Sequence, residues 1–325
     1  MIIRPEMQAL RSDDTPQRHA QAELHRLVTQ WRSSGGGAGI EQALASFARG
    51  TPLAKLQPLA RLFVPGHSAG LKLAHDMVDR FAAVLAASPW GQVPLPGKLD
   101  DVTATIVLAA ASNTALVLQA TDGAALRRRP PALTVSFSPG ETHDHVLAGN
   151  AEARLIELRG ETEHGADLTA TCFALRPGQV FRRDGARQSL LIDAAPTTLV
   201  TLKLQRRPAT GSVTREFCLA EGTLAHQAAG NARESRFELA AALLGRMGRR
   251  DAAALLGAMA EEQGGASLRW QALRECLGLD TAEGFAVLSR MAGRAGDPLA
   301  APAAALQTQL LQCYPQLAGA ASCPA

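Results

Sequence analysis

The sequence predicts an α+β fold: an antiparallel β-sandwich or barrel core, with a helical N-terminal region before it and C-terminal helical hairpins after it. Three observations predict this. Apolar residues recur at helical spacing up to Ala87 and again from Glu234. Between those stretches lie short Val-, Thr-, Leu- and Ile-rich runs separated by turn residues. The 325 residues, 46% hydrophobic, suffice for two or three packed units.

Each element has its own warrant. From Thr15 to Arg32, Ala20, Leu24, Leu27, Val28 and Trp31 share one helical face, and Pro16 suits a first turn. Ser33 to Gly37 breaks that pattern as a loop. No strand precedes it and no Lys-Ser/Thr follows, so it is not a phosphate-binding loop. Helices are expected over Gly39–Arg49, Pro52–Phe63 and His67–Ala87, the last turning Leu71, Leu73, Ala74, Val78, Phe81 and Leu85 inward. Three prolines between Ser88 and Pro96 forbid helix there and set a first boundary, giving a helical region over 1–96.

The β-core is expected over 97–222. Its strands are Thr103–Ala109, Ala115–Ala120, Leu133–Phe137, Ala153–Leu158, Asp167–Phe173, Gln179–Arg182, Gln188–Asp193, Thr197–Gln205 and Thr214–Leu219. Asp122-Gly123, Pro139-Gly140, Pro177-Gly178 and Asp184-Gly185 supply turns. Many short strands with no helical pattern between them indicate a sandwich or small barrel. Over 223–325 the helical period returns. Phe237, Ala240, Ala241 and Leu244 define one helix, Asp251 caps a second, Leu268 to Leu277 form a third, and Asp280 caps a fourth.

Composition excludes several classes. A formal net charge of +3 gives no field for nucleic acid, and Arg127–Arg129, Arg182-Arg183 and Arg206-Arg207 read as solvated strand ends. No run of about 18 apolar residues exists to span a membrane, and the N-terminus lacks the apolar core of a signal peptide. The five cysteines form no CxxC pair, so buried free thiols in a reducing cytoplasm are expected. Heavy use of Ala, Gly and Arg with little Lys is that of a GC-rich bacterial genome.

One cluster carries metal-type ligands: Pro139-Gly140-Glu141-Thr142-His143-Asp144-His145. In a strand His143 and His145 point to the same face, and two inward imidazoles supply half a metal site. The segment resembles the first motif of the cupin superfamily, with Pro-Gly ahead of His-Asp-His similar to the cysteine dioxygenase branch. A second turn at Pro177-Gly178 extends the likeness over residues 103–219. The resemblance implies a cupin-like or jelly-roll-like core, and a divalent metal (Fe or Zn) held by His143 and His145 with Glu152 or His164. The sequence also departs from the motif. Gly140 stands closer to His143 than cupins place the pair, Glu152 follows His145 at a longer interval, and Phe181 or Arg187 stands where the later histidine falls.

The preferred expectation is therefore a non-catalytic binding or accessory protein without a cofactor and with no catalytic residue assigned. It would recognise a peptide, protein or small ligand, and a homodimer is an admissible assembly. The metal-dependent oxygenase or isomerase is the alternative. Arg187, Arg215 and Arg236 are candidates to line a groove for an acidic ligand. Trp270 is either an interface anchor or a ligand-facing aromatic. From Leu268 to Leu288 the pattern resembles a HEAT-type hairpin.

Overall fold

The structure, a computed structural model, describes residues 12–34, 37–162, 165–208, 213–229 and 232–317. It is an α+β protein with antiparallel sheets. Its chain divides into two compact units, residues 1–135 with 140–207, and residues 136–139 with 208–325.

In the first unit, helices α1 (Thr15–Ser34), α2 (Ile40–Ala48), α3 (Gln57–Ala60) and α4 (Ala69–Ala87) precede the strands. Their apolar stripes bury Leu24, Trp31, Ile40, Leu44, Phe47, Leu59, Leu62 and Phe81. These join one cluster with Leu108, Leu116, Leu147, Leu202 and Leu204 from strands. The helices thus cover one face of a six-stranded sheet. That sheet runs β1 (Gly97–Leu99), β2 (Thr103–Ala111), β3 (Thr114–Thr121), β10 (Leu199–Arg206), β5 (Glu141–Ala148), β8 (Val180–Asp184), every neighbour antiparallel.

A three-stranded sheet, β7 (Gly165–Leu175), β6 (Ala151–Thr162) and β9 (Gln188–Ala194), lies against its other face. Val146, Leu199 and Phe181 of the large sheet meet Ala151, Ala153, Phe173, Leu175 and Ile192 of the small one. The turn joining β5 to β6 needs its glycine: Gly149 has φ of 81°, and a Cβ there would stand 2.2 Å from the Thr198 carbonyl oxygen. Short helix α5 (Gly123–Arg128), capped by Asp122, interrupts the strands where only turns were expected. Arg127 is exposed at the end of this helix and donates to the carbonyls of Ala195 (3.1 Å) and Pro196 (3.3 Å), so it ends a helix and not a strand.

The second unit carries the end of β4 (Thr134–Phe137), with β11 (Val213–Cys218) and β12 (Leu224–Ala229), in the order β12-β11-β4. Phe137 and Phe217 meet edge to face at 6.0 Å. Helices α6 (Ala232–Arg246), α7 (Ala253–Glu261), α8 (Ala266–Leu279), α9 (Thr281–Ala292) and α10 (Ala300–Cys313) bury Leu256, Leu273, Cys276, Phe285, Leu288 and Met291. β11 pairs with β12 in one hairpin that spans position 222. Inside the helical core Arg269 donates to both carboxylate oxygens of Asp297 (3.1 and 2.6 Å) and to the Ala260 carbonyl (2.8 Å).

Two caps differ. Asp280 accepts from the amides of Ala282 and Glu283 as expected, whereas Asp251 caps nothing and pairs with Arg249 instead. Phe237 and Ala240, expected inward, are exposed, while Ala241 is buried. Cysteines also depart from expectation. Cys276 is buried, but Cys172 and Cys313 are exposed and Cys218 is intermediate; Cys323 lies outside the described residues. No helix among the described residues is long and apolar enough to cross a membrane.

Candidate functional site

Strand β5 sorts its side chains by period two. Glu141, His143, His145 and Leu147 face the helices; Thr142, Asp144 and Val146 face the opposing sheet. Both histidines therefore lie on the helix-covered face, and both are already engaged. His145 is 2% exposed, with Nδ1 2.7 Å from the Leu62 carbonyl oxygen. A carbonyl can only accept, so Nδ1 carries the proton and donates. Gly70 makes room for the ring: a Cβ there would stand 2.8 Å from Nδ1.

His143 sits 2.9 Å by its Nε2 from Glu141 Oε1, between the rings of Phe47 and Phe63. Glu141 also takes Arg182 at 2.8 Å and Arg206. Burial pushes the Glu141 carboxyl up, yet the His143 hydrogen bond and the two arginines outweigh it and hold the net value below the ordinary 4.5. Arg206 further donates to the Phe47 carbonyl at 2.9 Å and lies 4.3 Å over the Phe47 ring. Together these side chains fasten the helices to the sheet.

The other predicted ligands are elsewhere. Glu152 is exposed and lines a separate pocket of about 510 Å³ with Arg127, Asn150 and Arg176. His164 lies outside the described residues. Among the described residues no group of three His, Cys, Asp or Glu could hold a metal ion. Nδ1 of His145 is held by the Leu62 carbonyl and Nε2 of His143 by Glu141, and no third metal-type ligand joins the two imidazoles among the described residues.

The predicted ligand-binding residues are likewise dispersed. Arg187 is exposed on a recess of about 320 Å³ with Glu157, Arg159 and Asp184. Arg215 lies 6.0 Å from the Phe217 ring, and Arg236 is exposed on α6. Trp270 is half-buried, with part of its ring packed against the helical core.

The notable cluster lies on the face of β5 that the histidine motif draws attention away from. Asp144 is 1% exposed. Arg183 donates from Nε to its Oδ2 (2.9 Å) and keeps Nη2 2.8 Å from the same oxygen, and Lys203 Nζ stands 3.7 Å from its Oδ1. Oδ1 is buried and has no hydrogen-bond partner. The registers account for the meeting: Asp144 is paired across the ladder with Lys203 and Phe181, and Thr142 with Arg183.

Gln119, opposite Thr201, shares this face. On the small sheet Glu157 accepts from Gln188 at 3.0 Å. Its register partner Gln188 lies in the same alternation as Leu190 and Ile192, which face the large sheet. Arg183 and Lys203 keep 13% and 15% of their side chains open to solvent. Arg183 and Lys203 thus both stand against the Asp144 carboxylate, with Glu157 a second carboxylate on the facing sheet. Sequence reasoning missed this trio. Its signal was parity, since Thr201 and Lys203 alternate with Leu202 and Leu204 just as Asp144 alternates with the histidines.

No protein-family model matches the chain, and no curated relative does. Among solved structures, vicilin from Corylus avellana (hazelnut) is similar at 13% identity over 38% of this chain and 33% of its own, with a TM-score of 0.27. An oxalate decarboxylase variant from Bacillus subtilis gives 9% identity over 35% of this chain and 28% of its own, TM-score 0.26. KdgF from Halomonas sp. gives 16% over 35% and 89%, TM-score 0.24. These neighbours are cupin-fold proteins, and the chain spans a third or less of the first two.

Proposed function

We propose that this is a binding protein whose β-sandwich holds a small anionic ligand at Arg183 and Lys203, with no metal at His143 and His145. The observation that carries the reading is the buried trio: two cations share one carboxylate, and Asp144 Oδ1 lacks a hydrogen bond. A buried polar atom without a partner costs about 1–3 kcal/mol, and a ligand or water hydroxyl donating to it relieves that cost. An anion beside Arg183 and Lys203 would pair with both cations.

Isothermal titration with succinate and inorganic phosphate, against glucose as a neutral control, tests the reading. Saturable one-to-one binding of an anion is expected, weakened about tenfold or more in Arg183→Gln/Asp144→Asn, which removes both charges at similar shape. Heat no different from that of glucose sinks it.

A second reading concerns the helical unit. On α6, Arg236, Leu239, Leu243, Arg246 and Met247 share an outward arc with no carboxylate, and Leu239 is 70% exposed. Such a face suits an acidic amphipathic peptide helix; a second copy would bring arginine against arginine. Fluorescence anisotropy with a synthetic Glu/Leu amphipathic peptide is expected to show binding that Leu243→Asp abolishes. An unchanged signal in that variant would discard this site.

A further inference from the structure

The chain's lysines are Lys55, Lys72, Lys98 and Lys203; every other one of its 33 basic residues is arginine. The first three are exposed, and Lys203 alone lies between the sheets. Arginine is the usual choice for a buried ion pair because its guanidinium stays charged and binds carboxylate with two donors, and Arg183 already plays that part for Asp144. What lysine adds at position 203 is a group that can lose its proton and become a nucleophile. Burial, foremost, lowers the Lys203 pKa from the ordinary 10.5; Arg183 adds to this, and Asp144 opposes both.

The geometry matches that chemistry. Nζ stands 3.7 Å from an oxygen that nothing else hydrogen-bonds, so Asp144 Oδ1 is placed to take a proton from the amine. Arg183 holds the other oxygen through Nε and Nη2, and its side chain keeps 13% of its surface open to solvent.

We propose that Lys203 forms a reversible imine with a 2-oxo acid whose carboxylate rests on Arg183, an inference that builds on the anion-binding reading of the same cluster. The neutral Nζ attacks the keto carbon, the C–N bond forms, and the carbonyl electron pair moves to oxygen, which takes a proton. That proton comes from the nitrogen by way of Asp144 Oδ1 and gives the carbinolamine. The nitrogen electron pair then closes the C=N bond as the C–O bond breaks, and the second nitrogen proton, relayed by the same carboxylate oxygen, lets the hydroxyl leave as water. Amine and ketone become imine and water with no change of oxidation state.

Borohydride trapping tests the step on the full chain. The protein is incubated with pyruvate, reduced, digested and mapped by mass spectrometry, with Lys55, Lys72 and Lys98 as internal references. A depressed pKa raises the neutral-amine fraction, so Lys203 is expected to be trapped faster than the exposed lysines. Excess succinate should suppress it by competing for Arg183. Adducts confined to the three exposed lysines would overturn the proposal. Calorimetry with succinate separates the failures: succinate bound without a Lys203 adduct removes the imine alone, whereas no succinate bound removes the anion site as well. Lys203→Arg should still bind succinate and give no adduct at that position. If that variant does not fold, the wild-type map decides.

Discussion

His143 and Asp144 are chain neighbours that face opposite ways, and their neighbourhoods set opposite tasks. The histidine side is closed by ring packing and a carbonyl bond, the aspartate side by two cations. Gly70→Ala is expected to destabilise the protein by about 1–3 kcal/mol, because the added methyl meets both His145 Nδ1 and the Leu62 carbonyl; urea unfolding reads this directly. Lys203 makes an alkaline prediction. Its folded pKa lies below its unfolded value of 10.5, so across that interval the unfolded chain binds more protons. Stability contributed by this group therefore rises with pH there, and the charge-burial cost is fully felt below it. Urea midpoints followed with pH should rise less steeply in Lys203→Met; equal slopes would contradict the assignment.

Among the elements, β5 shows what the sequence discloses and what it conceals. Runs such as Thr103–Ala111 and Gln188–Ala194 are plain in the sequence because apolar and β-branched residues fill them. Glu141 to His145 reads as a polar loop until its neighbours are known. Arg182, Arg183, Lys203 and Arg206 make burial of those residues tolerable, and each comes from a strand distant in sequence. The sandwich interior was hidden for the same reason: parity shows that two residues share a face, not which face the helices will take. Edge strand β1, three exposed residues long, leaves no apolar signal at all. Helix caps allow a paired comparison. Asp280→Ala should cost about 1 kcal/mol by loss of two amide hydrogen bonds, whereas Asp251→Ala, which uncaps nothing, should leave the thermal midpoint nearly unchanged.

At the scale of the whole molecule, each unit has its own apolar core and its own polar fastening. The general plan of helices, antiparallel strands and helices was legible from periodicity. Which surface each apolar stripe meets was not, because periodicity marks a buried face without naming its partner. Calorimetry is expected to show more than one cooperative transition, with a van't Hoff enthalpy below the calorimetric one. Breaking the nearly buried Arg269–Asp297 pair with Asp297→Asn should lower the helical unit's transition by about 3–5 kcal/mol. The Arg269 hydrogen bond, foremost, holds the Asp297 carboxyl below 3.8, so its contribution is present above that value and lost as pH falls through the folded pKa. The same transition should therefore soften in acid, and less so in the variant.

The thiols lend themselves to optical use. Cys172 is exposed on β7 in the first unit, and Cys313 is exposed at the end of α10 in the second. Cys276 donates to the Ala253 carbonyl, and burial pushes its pKa up to about 11, which withdraws it from alkylation. With Cys218 and Cys323 replaced by serine, a donor and an acceptor dye on Cys172 and Cys313 would form a two-colour ruler spanning the units, able to report in real time whether a ligand taken up between the sheets changes their separation.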